Sequence, residues 1–471
     1  MDQFGNVVRN TNYSSLRLRR KLSIFAISGI AAVVVACGGA DDDLASTVPA
    51  NSGGGEQPAA AAPNTTATTE VVRNPTVEPS ATPEPLATVE SVESPTPNPD
   101  FEDIFSSDAE KSRAATLRTI WGWNTNLAER TIPLTELSIV LGKDRITPID
   151  FPNFISVSDA PDYMEAREPV VAVIVDGDAR AYPLAILMWH EIVNDTVGGE
   201  PVTVTFCPLC NTGITFSRIV DGEELTFGTS GMLRNSDLVM WDRQSESYWQ
   251  QITGEALAGD YAANETVLTQ LPSSIIAWET FAETYPDGRL LERVVGDSGG
   301  DARPYDSPPY AGYDNVDDQP FLFRGSVDGR LVATSRVLTI DGEIPVAYPF
   351  SFLEESTVIN DSVDGSEIVA FFDDGTFSAF NDVFDEHQTS GSVAVFDRNV
   401  DGRTLTFKVS GNEVTDNETG SSWNVAGVAV SGEFEGTQLE PVVHANHFWF
   451  AWAVFKPATV IRDSLDDLTA T

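Results

Sequence analysis

Basic residues are scarce in this chain. Lysine and arginine number 28 against 71 aspartates and glutamates in 471 residues, a formal net charge of −43. That balance excludes nucleic acid as a partner, because holding a phosphate backbone needs a basic surface. Long apolar runs are scarce too. The longest, residues 22–35, falls short of the roughly 20 residues that a membrane-spanning helix needs. Cysteine is nearly absent: there are three, and two of them, Cys207 and Cys210, share one short stretch. Histidine numbers only four. Thiol and imidazole chemistry is therefore confined to very few positions.

What is present begins with an address. Arg17, Arg19, Arg20 and Lys21 precede the apolar run, and Val34-Val35-Ala36 precedes Cys37. A basic start, a short apolar core and small residues at a cut describe a secretory signal peptide over residues 1–36. The placement of Cys37 resembles the lipobox of bacterial lipoproteins. The resemblance implies lipidation of Cys37, and so a protein held at the outer, extracytoplasmic face of the membrane by its N-terminal lipid. Residues 37–100 are rich in Ala, Thr, Pro, Ser and Gly with no apolar period, the composition of a disordered stalk.

Periodic signals start after residue 100. Residues 110–123 read as a helix. Residues 170–175 are a β-branched run, and Asp176-Gly177 turns into a second strand at 179–182. Pro183 opens a helix over 184–192. Residues 203–207 alternate in period two and lead through Cys207-Pro208-Leu209-Cys210-Asn211-Thr212-Gly213 into a further strand, so both thiols sit at a hairpin tip. Strands are expected at 224–227, 238–241 and 248–252, a helix at 275–284 and a long loop at 296–318.

A second segment echoes the first. Ala181-Tyr182-Pro183 recurs as Ala347-Tyr348-Pro349, and Asn194-Asp195 recurs as Asn360-Asp361, both at an offset of 166 (347 − 181). Asp242-Arg243 finds a looser echo in Asp397-Arg398. The expectation is an α+β, β-rich body of two internally duplicated units, 101–325 and a degenerate 326–471. At the same offset His190 becomes Ser356, Cys207 becomes Asp373 and Cys210 becomes Thr376. Positions that build the unit are kept and reactive ones are lost, which points to chemistry in the first unit.

Tyr182-Pro183, His190-Glu191-Ile192-Val193-Asn194-Asp195, Phe206-Cys207-Pro208-Leu209-Cys210 and Phe227-Gly228 resemble a bacterial family called domain of unknown function 3179. So do Ser230-Gly231, Leu238-Val239-Met240, Asp242-Arg243, Tyr248-Trp249-Gln250 and the aromatic run 448–452. The resemblance spans most of the body, implies an exported or membrane-associated protein, and carries no activity with it.

Two thiolates and an imidazole suit zinc, copper or iron. The expected metal ligands are Cys207, Cys210 and His190, with His447 or His444 as the fourth. A three-ligand site with an open position would be catalytic or would pass its metal on. The other thiol reading is redox chemistry through a Cys207–Cys210 disulfide, although no helix follows the pair to activate it. The alternative is a non-catalytic cell-envelope module in which that disulfide is only a staple. Gly228–Gly231 with Arg234, Ser236 and Asp237 are expected to form a polar loop lining a pocket, without a nucleophile at Ser230. The aspartates at 297–318 lack the spacing of an EF-hand.

Overall fold

The computed structural model of the protein describes residues 105–468, except 297, 316–319 and 382–386. The signal peptide, Cys37, the stalk, Asp297, Asp317 and Asp318 lie outside the described residues. The described body is built mostly of short strands, with five α-helices.

Local chemistry sets the boundaries. The helix after Pro183 runs Leu184–His190, not to residue 192. Glu191 ends it in the left-handed region (φ 58), and Ile192 starts a strand. An acidic side chain there is uncommon and implies that its surroundings fix the backbone. The helix expected over 275–284 divides in two. Ile275 and Ile276, β-branched and suited to a pleated surface, lie in the strand Ser274–Ala277, and only Trp278–Thr284 is helical.

One arrangement occurs twice. Strands Pro169–Val175 and Asp178–Pro183 form an antiparallel hairpin. Ser274–Ala277 pairs antiparallel on its outer side, and Arg289–Leu291 pairs parallel on the other. Farther along, the hairpin of Arg336–Ile340 and Val346–Pro349 is flanked in the same senses by Ala445–Phe448 and Val460–Ile461. Each hairpin is followed by a short helix, Leu184–His190 or Phe350–Ser356, and then by an antiparallel meander. The meanders are Ile192–Val197, Glu200–Cys207, Thr212–Ser217 and Val358–Val363, Ser366–Asp373, Ser392–Asp397. The two halves are not separate in space. Ile275 pairs with Val393, so an eight-stranded sheet takes strands from both sides of the 325/326 boundary read from the sequence.

Buried polar groups explain the repeated motifs. The Tyr182 hydroxyl donates to Asp195 at 2.6 Å, and Tyr348 does the same to Asp361 at 2.6 Å. An arginine completes each carboxylate: Arg180 on Asp195 at 2.7 Å, Arg462 on Asp361. Asn194 donates to the Phe227 carbonyl and accepts from the Phe227 N–H, and Asn360 holds Phe407 in the same way. The echo of Asp242-Arg243 is corrected by these contacts. Asp242 accepts from the Trp249 indole, and its counterpart is Asp416, which accepts from Trp423. The counterpart of Arg398 is Arg218: each donates to the carbonyl of the leucine seven residues on, Leu405 and Leu225.

Asp195 carries two charge-assisted partners at 9 % exposure. Asp195→Ala leaves the Tyr182 hydroxyl without its acceptor and Arg180 with Asp178 alone, and should cost about 3 kcal/mol. Tyr182→Phe should cost about 1.5–3 kcal/mol. Urea denaturation of the two variants beside wild type measures both.

Candidate functional site

The thiols sit where the sequence suggests. Strand Glu200–Cys207 delivers Cys207, Pro208–Cys210 forms a single tight turn, and Asn211 in the left-handed region (φ 50) returns the chain to Thr212, opposite Cys207. Both thiols are free, with Cys207 2 % and Cys210 0 % exposed.

Their neighbour is a carboxylate. Residues 227–242 form a hairpin of strands Phe227–Arg234 and Asp237–Asp242, not a polar loop. Asn235 (φ 51) and Ser236 (φ 72) make its tip, both left-handed as a two-residue turn of this class requires. Ser230, in the irregular part of the first strand, donates to the Val239 carbonyl and accepts from the Met232 N–H, a structural role. The turn sets Asp237 directly under the thiols. An oxygen of Asp237 and the sulfurs of Cys207 and Cys210 lie within 4.8 Å of one another. The Ser236 carbonyl accepts from Cys210 at 3.5 Å and weakly from Cys207 at 3.9 Å.

Asp237 is held on one side only. Its Oδ2 accepts from Gln250 Nε2 at 2.6 Å and from the Ile252 N–H at 3.0 Å. Arg234 donates to Gln250 Oε1 at 3.3 Å, which fixes the amide the right way round. Oδ1 is fully buried and takes no N–H or O–H donor; the other groups that bond this carboxylate are the Cys207 and Cys210 thiols. Thiols are weak donors, so the carboxylate is poorly satisfied for its burial.

Acid crowding raises every proton affinity here. Burial, with help from Asp237, pushes Glu191 up to about 8. Burial pushes Asp237 up to about 6 against the pull of Gln250 and Ile252. Both thiols rise above the usual range, chiefly by burial; for Cys210 its neighbour Cys207 adds to the rise. Four acidic groups share one buried space, and none of the principal influences on them is a lysine or arginine. Two tyrosines cover the group. Tyr310 feels Glu191 and Cys207, and Tyr313 feels both sulfurs. The Tyr313 hydroxyl accepts from the Phe321 N–H at 3.0 Å, and the Phe321 carbonyl accepts from Ser236. The covering segment is thus tied to the tip of the Asp237 hairpin.

The expected histidines do not join the sulfurs. His190 donates from Nδ1 to the Thr147 carbonyl at 2.7 Å, and its Nε2 accepts from the Tyr305 hydroxyl at 2.8 Å. Neither nitrogen is left for a metal. His444 is likewise engaged by the Val442 carbonyl and Ser274. His447 bonds Thr212 through Nδ1 at 2.8 Å and stacks on Trp452 at 5.0 Å. Its Nε2 is buried without a partner, but it lies outside the thiol–carboxylate group. Asp237 and Glu191 are the members that sequence reasoning passed over. Glu191 was detectable, because the offset that turns His190 into Ser356 turns Glu191 into Thr357. Asp237 reads from the sequence only as part of a pocket-lining polar loop, since nothing local announces which hairpin tip reaches the thiols. The aspartates of the long loop are spent on arginines: Asp301 and Asp306 on Arg293, Asp314 on Arg336.

Fold and site together define a β-rich α+β protein with a buried thiol–carboxylate cluster at its centre. Residues 143–459 match the family described as Protein of unknown function (DUF3179), and the chain belongs to that family. No curated protein and no solved structure matches it.

Glu191 gives a pH signature. Its folded value, about 8, lies above the ordinary 4.5, so the folded state binds more protons than the unfolded one between them. Stability of metal-free protein should therefore be greatest at the acid end of this window and fall as pH rises through it. Thermal melts of chelator-treated protein across the window check this. Glu191→Gln should flatten the profile, and an unchanged slope in that variant would count against the assignment.

Proposed function

We propose that Cys207, Cys210 and Asp237 bind a transition metal ion, with zinc the best match to a mixed thiolate and carboxylate set. One observation carries the reading: two sulfurs and a carboxylate converge in a buried space, and one oxygen of that carboxylate takes no N–H or O–H donor. A cation is the species that relieves such crowding, since it stabilises all the anionic forms at once. Three protein ligands leave a tetrahedral ion one open position, the arrangement of a catalytic or metal-transferring site. Glu191, which interacts electrostatically with Asp237 and Cys207, is the proton-handling group of this reading. His190 is not a ligand in this reading.

Thiol redox chemistry is the weaker alternative. A reactive cysteine needs a lowered pKa and access to solvent, whereas these two are buried and shifted upward. The staple reading, a closed Cys207–Cys210 pair in a non-catalytic envelope module, leaves Asp237 Oδ1 without a purpose.

The internal comparison supports the metal reading, and we infer that the two units arose by duplication. The left-handed position of Glu191 is kept at Thr357 (φ 62) with the acid gone. The hairpin over residues 227–242 corresponds to the shorter 407–416, in which the tip carrying Asp237 is missing. Glu191, both thiols and Asp237 are thus absent together from the second unit, while the buried Tyr–Asp and Asn–backbone bonds persist. We also infer that the protein is exported and tethered through lipidated Cys37, with residues 37–100 as a spacer. Fatty-acid labelling of cells, lost in Cys37→Ser, checks the tether.

Metal analysis and cobalt titration of reduced protein test the site. Wild type should bind one equivalent and show thiolate-to-cobalt absorption. Cys207→Ser and Asp237→Ala should each weaken binding by at least about tenfold, and His190→Ala should not. Affinity should rise with pH, because the ligands must lose protons to bind. A metal-free wild type with an oxidised cysteine pair would overturn the proposal in favour of the staple.

A further inference from the structure

A second concave site lies away from the thiols. It is a cavity of about 380 Å³ within the usual range for small-molecule pockets. Tyr163, Glu165, Glu168, Arg293, Tyr305 and Phe377 are among its walls, and none of the proposed metal ligands is.

The charges of this cavity do not balance. Arg293 is the one arginine in its wall, and it is already committed. It pairs with Asp301 at 2.9 Å and with Asp306, and its flat face lies 3.8 Å over the Tyr163 ring. Glu168 lines the same space, and its carboxylate forms no hydrogen bond or ion pair with any described residue. Burial pushes its proton affinity up to about 7, with Glu165 adding to the rise and Arg293 only partly opposing it. Of the other polar groups in the wall, Ser378 gives its proton to Asp314, Asn381 donates to the Gln388 carbonyl, and the His387 ring stands edge-on to Phe377. His190 Nδ1 faces the Thr147 carbonyl, which can only accept, so the proton is on Nδ1 and Nε2 must take the Tyr305 hydroxyl proton. The Tyr305 oxygen in turn accepts from the Val294 backbone. His190, behind the wall, thereby fixes Tyr305 within it.

Arginines already lie over the Tyr163, Tyr305 and Phe377 rings, so the open fitting is the carboxylate. Glu165, Glu168 and Asp306 line the cavity against one arginine, and an unpaired acid in such a space supplies the counter-charge for an ammonium group. We propose that this cavity binds a small organic cation, a protonated amine or a quaternary ammonium, with Glu168 as its counter-charge and Tyr305 and Phe377 as its walls. The site is independent of the proposed metal centre.

Calorimetry of the full chain with ethanolamine and with choline tests it, with acetate as the anionic control. One or both cations should bind at millimolar concentration or below, and acetate should not. Binding by either supports the site, and their order tells whether the group it prefers is primary or quaternary. Glu168→Gln should weaken the preferred cation by at least about tenfold, a loss of roughly 1.4 kcal/mol. Its melting temperature should stay at or above that of wild type, since a buried unpaired acid has been removed. Glu168→Asp, which keeps the charge, should retain more affinity than Glu168→Gln. Cys207→Ser should bind as wild type does, which separates this site from the thiol centre. Failure of both cations to bind, equal binding of acetate, or an unchanged affinity in folded Glu168→Gln would overturn the proposal.

Discussion

The two-sided grip of Asn194 on Phe227 is the constraint on which the site depends. Asn194 lies in the sheet that carries the thiols, and Phe227 opens the hairpin that carries Asp237. One amide side chain satisfies both polar groups of a single buried residue and so fixes the register between two sheets. The neighbouring Asp195 holds Arg180 and Tyr182 from the eight-stranded sheet. Two consecutive residues on one strand thus point to opposite faces and join three sheets. Alternation along a strand makes this possible, and burial makes each bond costly to lose.

Once the sheets are locked, the acidic cluster has little freedom. The thiol turn cannot retreat, because Cys207 and Thr212 are paired in the ladder. Asp237 cannot swing away, because Gln250 and the Ile252 N–H hold its other oxygen. Glu191 is fixed by its own backbone, whose carbonyl accepts from the Phe206 N–H at 2.8 Å. The backbone and side-chain bonds that hold these acids leave the two sulfurs and an Asp237 oxygen within 4.8 Å of one another. A fold that keeps such crowding gives up stability for a pre-formed site, the usual relation between scaffold and function.

His190 shows how a motif can mislead. An imidazole upstream of a Cys-x-x-Cys looks like a third ligand, and its loss from the second unit agrees with a reactive role. Its ring instead bonds Thr147 and Tyr305 and stays outside the thiol–carboxylate group. The residue beside it, Glu191, reverses direction through its left-handed backbone and reaches the cluster in its place. A single change of φ sign decided between two adjacent side chains, and no periodicity carries that information.

Much of the scaffold was legible in the chain: the strand alternation, the Pro-initiated helix, the thiol turn and the echo of Tyr-Pro and Asn-Asp at a fixed spacing. These depend on local preferences and on residues close together in sequence. The thiol–carboxylate cluster was not legible, because Asp237 meets Cys207 only through pairings between separate sheets. Nor was the sharing of one sheet by both halves, which rests on Ile275 meeting Val393. Local chemistry determined which elements form, while tertiary packing decided which side chains are left facing one another, since that depends on bonds between strands far apart along the chain.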